Sequence, residues 1–457
     1  MALIAAGGRP VLVGGSVRDY LRSLSHGDIA LHEKPVGNAQ HDVDVEVFGL
    51  SQPRLEQVLQ PFNAILVGRL FGVYKLRIGD SRVDVSLPRR ERHLSAKHND
   101  VAVIPDATMT FAEAASRRDF TINAIGFDWV SQQFLDPWAG QKDLRCGVLR
   151  HVGAAFGEDP LRVFRAARFA TRFGYDMAPE TLRLCQGMSL KDLSKERIWE
   201  ELVKVSAYDM GVALSWYRHL GCLSWYPELA ALIGVPQDGM YHPEGDAWAH
   251  TCLVLSAMCR VGVPAVFQLE LQLAALCHDL GKSVTTAWRS GRWRALGHAQ
   301  AGADLARRLL SRLGCPLGLQ ADIVTLVKCH MLPMQLYASS QRGHVSDAAI
   351  RRLACNVSIE KLLWLATADH NGRGGVFDPN PPATAWLRSR AETLSVYHAP
   401  PKALILGRDL IGLGVAPGPE MGQLLKRLFE AQIRGAFETK EAGVAYFQMG
   451  QTGRQSH

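Results

Sequence analysis

Asp42-Val43-Asp44-Val45-Glu46-Val47-Phe48, preceded by Gly14-Gly15-Ser16-Val17-Arg18-Asp19, decides the fold. Successive side chains of an extended segment take opposite faces, so Val43, Val45 and Val47 enter a core while Asp42, Asp44 and Glu46 share the other face. Two carboxylates then converge on one point. Such a pair suits Mg²⁺, a hard cation that takes oxygen ligands and is shared with substrate phosphates. Two such ions clamp the attacking and leaving oxygens of an in-line displacement. Taken alone, the same alternation equally describes an edge strand with a solvated polar face.

The glycine pair shifts that balance. Pro10-Val11-Leu12-Val13 reads as a short buried strand, and Gly14-Gly15-Ser16 brings backbone N–H groups close to phosphates where a helix begins. Arg18 offers a forked donor to the same phosphates. Together the two segments read as a metal-dependent nucleotidyl-transfer centre.

A chain of 457 residues exceeds one compact core, so two to four domains are expected. With 47% hydrophobic and 21% charged residues it has an ordinary globular composition. A net charge of +7 and a pI near 8.9 favour an anionic partner, and the Arg-rich segments make nucleic acid plausible. No run approaches a membrane-spanning length and the N-terminus lacks a charged leader region, so a cytosolic protein without membrane contact is expected. The nine cysteines include no Cys-x-x-Cys and read as reduced core thiols.

Short β-rich runs mixed with turns fill the first 150 or so residues, including 71–77 and 81–86, and the segment 22–41 reads as an inserted loop. From Asp159 onward apolar residues recur at three- and four-residue intervals almost to the end. The fold class expected is α+β: a mixed sheet with helices, then a mainly α-helical remainder. Breaks at Gly234–Gly245 and Asp378–Pro382 mark candidate boundaries. The expected division is a head over 1–150, a helical neck over 151–235, a third domain over 236–385 and a helical tail over 386–457.

Asp84 lies on another alternating strand, where it either supplies a third carboxylate or faces solvent. Leu87-Pro88-Arg89-Arg90-Glu91-Arg92-His93 is a basic cluster leading into a polar loop that reaches about Asp106, read as a mobile active-site loop. In Ser116-Arg117-Arg118-Asp119-Phe120-Thr121-Ile122-Asn123, Arg118 suits a phosphate and Asp119 or Asn123 a ribose hydroxyl; the alternative is a charged helix start capped by Asp119. Asp159-Pro160-Leu161-Arg162 opens a helix with Asp159 at its cap and Pro160 in its first turn. Arg162, Arg165, Arg168 and Arg172 follow along one face. An Asp and an Arg fixed one turn apart suit the hydrogen-bonding edge of a base.

These motifs, in this order and with Asp136-Pro137 to Asp143-Leu144, resemble those of bacterial class II tRNA nucleotidyltransferases and poly(A) polymerases over roughly the first 230 residues. The resemblance implies a polymerase-β-like nucleotidyltransferase head. By it, Asp42 and Asp44 bind catalytic metal, Mg²⁺, to which Asp84 would add a third carboxylate; Gly14, Gly15 and Arg18 hold the triphosphate; Arg117, Arg118 and Asp119 select ribose, with Asn123 as a further hydrogen-bonding group. Asp159 and Arg162, with Arg165 beside them, would pair with the incoming base, so that the protein chooses C or A without a template. The stretch between Asp19 and Asp42 is longer than usual in that family.

A second set follows. His278 and Asp279 end an apolar helical run, Leu269 to Cys277, with Gly281 as a stop. Imidazoles and carboxylates gathered from several helices hold a divalent metal that generates hydroxide. His242 to His250, His278-Asp279-Leu280-Gly281-Lys282, Gly297-His298 and Cys329-His330 resemble the HD phosphohydrolase domain attached to some of these enzymes. The resemblance implies His250, His278, Asp279 and Asp369 as ligands of Ni²⁺, Mn²⁺ or Mg²⁺, with His298 and His330 for a second metal or a substrate phosphate. The segment Leu413 to Ala445 fits the C-terminal helices of that subgroup.

The expectation is an enzyme adding CMP and AMP to the tRNA 3′ end, with tRNA, ATP and CTP as partners, a second metal-dependent phosphohydrolase activity, and an oligomeric state, monomer or homodimer, left open. A poly(A) polymerase and a CC-only or A-only enzyme share the same motifs. A phosphohydrolase with an RNA-binding head is a rival of another class, and a purely structural RNA-binding protein a third.

Overall fold

The computed structural model describes residues 1–26, 43–67, 72–93 and 101–452. Asp42 lies outside the described residues, as does most of the expected loop over 22–41; its first residues continue a helix, Gly15–His26. The chain divides into two compact units: residues 1–193 with 216–222, and residues 194–215 with 223–457. The expected neck is thus shared between the units, and the expected tail belongs to the second.

The first unit is built on a mixed sheet. Its strands are β1 (Arg9–Val13), β2 (Val43–Phe48), β3 (Ile65–Val67), β4 (Val73–Ile78), β5 (Ser81–Ser86), β8 (Gly126–Asp128) and β9 (Gln133–Leu135), with a separate ribbon of β6 (Arg89–His93) and β7 (Val101–Pro105). The order is β3-β4-β5-β2-β1-β8-β9, and within this sheet only the β2–β5 pair is parallel. Alternation follows the sequence: Val43, Val47, Val83 and Val85 are buried, while Asp44 is exposed and Glu46 and Asp84 half-buried. The parallel register sets Asp44 beside Asp84. The basic cluster expected as a loop is strand β6, paired with β7 and tied back by Arg90 to Asp106 at 2.6 Å.

Val11, Val13, Phe48, Phe111, Ala115 and Val152 pack as one head core. The helix Leu161–Phe173 buries Val163, Phe164, Ala167, Phe169 and Ala170. Gly174 ends it with a positive φ of 67°, which an L side chain would resist.

The second unit is helical, as its 3.6-residue periodicity predicts, with one departure: a hairpin of Thr286–Arg289 and Arg292–Ala295. Near its end, Ile405, Leu410, Met421, Leu428 and Phe447 form a small core of their own. Among the described residues, no helix is long and apolar enough to cross a membrane. All nine cysteines are free; five are buried, but Cys146, Cys259 and Cys355 are exposed, so not all are core thiols.

Candidate active sites

At the end of β1 the chain must turn sharply into the helix Gly15–His26. Gly14 does so with φ at 76°, and a Cβ there would lie 3.0 Å from Asp44 Oδ2 and 3.7 Å from an Arg118 guanidinium nitrogen. Glycine at this position therefore lets the Asp44 carboxylate lie against the turn. Arg118 sits beside the same turn, with a guanidinium nitrogen 3.5 Å from Glu46 Oε2. Asp84, in register with Asp44, contacts Lys75 Nζ at 3.2 Å. Carboxylates on two adjacent strands, a glycine turn and a cation thus lie together where β5, β2 and β1 run side by side.

Arg18 lies beside Gly15, where a Cβ would meet one of its guanidinium nitrogens at 3.4 Å. It is buried; its guanidinium donates to both Asp19 oxygens (2.8 and 2.9 Å) and to Asn123 Oδ1 (2.6 Å), and lies 4.8 Å from the Phe173 ring centre. Within the protein it braces the glycine-turn helix against the segment that carries Asn123. Asn123 donates to Asp119 Oδ1, which also accepts from the Phe120 N–H, and Asp119 Oδ2 accepts from Arg165 at 2.7 Å. At the other end, Arg172 donates to Asp19 Oδ2 at 3.0 Å. Six side chains form one series: Arg172, Asp19, Arg18, Asn123, Asp119 and Arg165.

Burial alone would raise the Asp119 pKa, but Arg165, Asn123 and the Phe120 N–H outweigh it and hold the carboxyl below its ordinary value. Both oxygens of Asp119 and the amide of Asn123 make hydrogen bonds within the protein. Asp136 caps the helix Gly140–Cys146, and Asp143 accepts from Thr121 Oγ1 at 2.7 Å, steadying the turn that carries Asn123. Asp159 Oδ1 accepts from the Leu161 N–H at the helix start, as a cap residue does. Arg162 donates to the Ala155 and Arg117 carbonyls, each at 2.6 Å.

The second cluster forms where several helices of the other unit meet. His278 follows the helix Ala265–Cys277, His298 begins Gly297's following helix His298–Leu313, and His330 follows Leu317–Cys329. In each ring Nδ1 lies 2.6–2.7 Å from the carbonyl three residues back, that of Ala275, Ala295 or Val327. A carbonyl only accepts, so Nδ1 carries the proton and Nε2 turns toward Asp279. His278 and His250 Nε2 lie 3.2 and 3.6 Å from Asp279 Oδ2; His298 and His330 Nε2 lie 3.5 and 3.9 Å from Oδ1. Asp369 Oδ1 adds a contact of 3.1 Å to His250 Nε2. Gly281 permits this approach, because a Cβ there would meet the His298 carbonyl oxygen at 2.0 Å.

Two groups of three donors share Asp279, each within 4.8 Å: His250, His278 and Asp279, and Asp279, His298 and His330; a third, His242, Glu244 and His250, adjoins them. A divalent cation fits both groups that share Asp279. His298 and His330 Nε2 face each other at 3.2 Å, and burial first and His278 second push His330 down to about 4, so its nitrogen is a neutral lone pair. His278 Nε2 is buried with no hydrogen-bond partner among the described residues. A cation satisfies all three nitrogens; an oxyanion would repel them. The six expected HD residues are brought together here.

Sequence reading missed two neighbours. Glu244 accepts from His250 Nδ1 at 2.7 Å and His242 Nδ1 at 2.8 Å; against the raising effect of burial, these bonds lower it to about 2. Lys282 Nζ lies 2.6 Å from Asp279 Oδ2. A Glu a few residues ahead of a candidate His was the available signal for the first. A cleft of about 620 Å³ opens over Asp279, His298, His330 and Asp369, and a recess of about 180 Å³ shares its Asp369 and Arg373 wall.

Fold and site define a nucleotidyltransferase carrying an HD domain. Residues 11–150 match the Poly A polymerase head domain and residues 248–369 the HD domain. The multifunctional CCA protein of Xanthomonas oryzae pv. oryzae (strain MAFF 311018) is 34% identical over 444 residues, covering 94% of this chain and 98% of the relative. That of Xylella fastidiosa (strain 9a5c) is 36% identical over 401 residues, covering 84% and 89%. The chain belongs to the family of multifunctional CCA proteins, and is a CCA-adding nucleotidyltransferase. Its fold is shared with the Bacillus stearothermophilus CCA-adding enzyme in complex with CTP (TM-score 0.59, 21% identity, 100% and 97% of the two chains). It is shared too with the Thermotoga maritima CCA-adding enzyme complexed with tRNA (TM-score 0.58, 17% identity, 98% and 93%).

Proposed function

We propose that the head adds CMP and then AMP to the tRNA 3′ end without a template, working from the place where Asp44, Asp84 and Gly14 meet. The observation that carries this is the in-register placement of Asp44 and Asp84 beside the positive-φ turn at Gly14. Asp44 and Asp84, together with Asp42, would hold Mg²⁺. Bound there, Mg²⁺ supplies the Lewis acid that favours the 3′-alkoxide and neutralises charge on the departing pyrophosphate. The Gly14–Gly15 backbone and Arg118 would receive the triphosphate. Asp159 and Arg162 would choose the base, whose edge replaces the two peptide carbonyls that Arg162 contacts. Arg18, Asp119, Asn123 and Arg165 act as positioning residues beneath that surface. The basic chain would grip tRNA through its phosphates and shape, as double-stranded RNA is recognised.

We assign residues 1–150 to this head, 151–235 to the neck, 236–385 to the HD domain and 386–457 to the tail, and place the protein in the cytosol. The test is incubation of tRNA lacking CCA with CTP and ATP, separately and together. Addition of C, C and A in order supports the assignment, whereas a long A tail or C without A would refute it.

The second cluster supports a phosphohydrolase. His250, His278, Asp279 and Asp369 would hold one divalent ion, and Asp279, His298 and His330 a second, with Ni²⁺, Mn²⁺ or Mg²⁺ as candidates. A metal held there supplies hydroxide at neutral pH. Water's oxygen bonds to phosphorus, the P–O ester bond breaks, and the leaving alcohol departs with water's proton. Damaged tRNA ends carrying a phosphate are the substrates that suit an enzyme rebuilding those ends.

A further inference from the structure

We infer that Arg77 and Arg82, paired across the β4–β5 hairpin, hold phosphates of the RNA strand whose 3′ end is extended. The inference rests on the transferase site proposed above and adds the side from which the acceptor strand enters it.

Strand alternation fixes which way this hairpin faces. Tyr74, Leu76, Val83 and Val85 are buried on one side, while Lys75, Arg77, Arg82 and Asp84 take the other. Turning the charges over would need a one-residue slip that exposes Leu76, Val83 and Val85, so the basic side is pinned outward. Lys75 Nζ lies 3.2 Å from Asp84 Oδ2, so the cations and the Asp84 carboxylate share that side. The antiparallel register sets Arg77 directly opposite Arg82, and Lys75 opposite Asp84. Arg82 stands two residues before Asp84, about 7 Å along the strand.

Like charges placed directly opposite each other weaken a strand pair. Arg77 and Arg82 are both exposed, and neither meets a carboxylate among the described residues, whereas Lys75, Arg90 and Arg118 each do. A polyanion laid across the hairpin relieves that repulsion.

The reaction supplies the direction. In an in-line displacement the attacking and leaving oxygens lie on opposite sides of the phosphorus. The Gly14 turn and Arg118 lie together on the β1 side of Asp44, and the strand order β4-β5-β2-β1 puts Arg77 and Arg82 on the other side, with Asp84. With the triphosphate on the glycine turn, the 3′-oxygen bonds to the α-phosphorus from the Asp84 side as the bond to pyrophosphate breaks toward β1. The strand behind that oxygen then crosses β5 and β4, where two guanidinium forks meet its phosphates.

The test is steady-state addition of CMP and AMP by the full-length protein, with tRNA lacking CCA varied at saturating CTP and ATP and at several salt concentrations. Loss of a charge-assisted phosphate contact weakens binding about tenfold, so Arg77→Gln and Arg82→Gln should each raise the KM for tRNA by that factor. The kcat should stay within about twofold of wild type, as when binding is lost equally from ground and transition states. Each substitution should also make the fall of log kcat/KM with log salt shallower by roughly 0.7, the share of one single-strand phosphate. Arg82→Lys keeps the charge and should recover most of the loss. Arg54→Gln removes an equal charge from an exposed residue of the helix Gln52–Leu59 and should change neither quantity. KM values for CTP and ATP should match wild type in every variant. An unchanged tRNA KM in Arg77→Gln and Arg82→Gln, or a loss matched by Arg54→Gln, would overturn the inference alone. A rise confined to the nucleotide KM values would do the same, assigning the pair to the triphosphate. Retained incorporation by Asp44→Ala would instead overturn the site on which the inference rests.

Discussion

His298 Nε2 and His330 Nε2 face each other at 3.2 Å, while the Nδ1 of each ring is held by a backbone carbonyl. Two imidazoles fixed this way cannot turn aside, so a shared cation is the arrangement that relieves them. Purified protein loaded with Mn²⁺ should carry two ions in the HD domain. His330→Ala should carry one there, as read by elemental analysis with Asp44→Ala as background to remove the head's contribution. Equal metal content with and without His330 would exclude the second site.

Glu244 orients His250 without belonging to the cluster's inner donors. Such supporting carboxylates typically govern metal affinity by 10- to 100-fold. Glu244→Gln should weaken Mn²⁺ binding by roughly that factor in calorimetry and reduce phosphoester hydrolysis at limiting metal. Excess metal should recover the activity. CCA addition should be unaffected.

Asp44 is exposed and Asp84 half-buried, so their removal should leave stability within about 0.5 kcal/mol. Asp44→Ala should nevertheless abolish incorporation of both labelled CTP and labelled ATP into tRNA, with an unchanged circular dichroism spectrum. Asp84→Ala should reduce both incorporations together. A variant that lost only one nucleotide would move these residues from bond formation to base choice.

Asp119 is buried against Arg165 and Asn123, and its pKa is lowered from the ordinary 3.8. A carboxyl depressed in the folded state adds stability above its unfolded pKa and loses it as pH falls through the folded value. Melting of the first unit should therefore be level from pH 7 to about 5 and fall below about pH 4. Asp119→Ala should cost about 3 kcal/mol, since removing one partner of a buried pair strands the other, and should flatten the acid limb of the profile. That corresponds to roughly 6–12 °C in a unit of this size. A variant melting like wild type would show that Arg165 finds another partner.

The alternation of Val43 to Val47 and the order of the motifs were enough to read the mixed sheet and the shared face of Asp44 and Glu46, because a period of two is a local property. The HD donors were legible for a different reason: each is a residue type whose chemistry is distinctive wherever it stands. What escaped was partner choice. Nothing in the spacing of Arg18 and Asn123 tells that they bond, since residues 105 positions apart meet only through the fold. The Thr286–Ala295 hairpin was also missed; its strands are too short to register against the helical periodicity around them. The run Arg89–His93 was read by its charge, yet strand pairing with Val101–Pro105 is a backbone matter that side-chain charge does not announce.

The series from Arg172 through Asp19, Arg18, Asn123 and Asp119 to Arg165 begins and ends on the helix Leu161–Phe173. It forms a closed loop, helix to helix, passing beneath the glycine turn. Loosening any link opens the loop, so the amides of Thr121–Asn123 and of this helix should exchange with deuterium at one common rate. On the roles proposed above, bond-making and nucleotide choice would share a single opening equilibrium: a mutation that softens this loop should lower speed and accuracy in step, and selection could not trade one against the other through it.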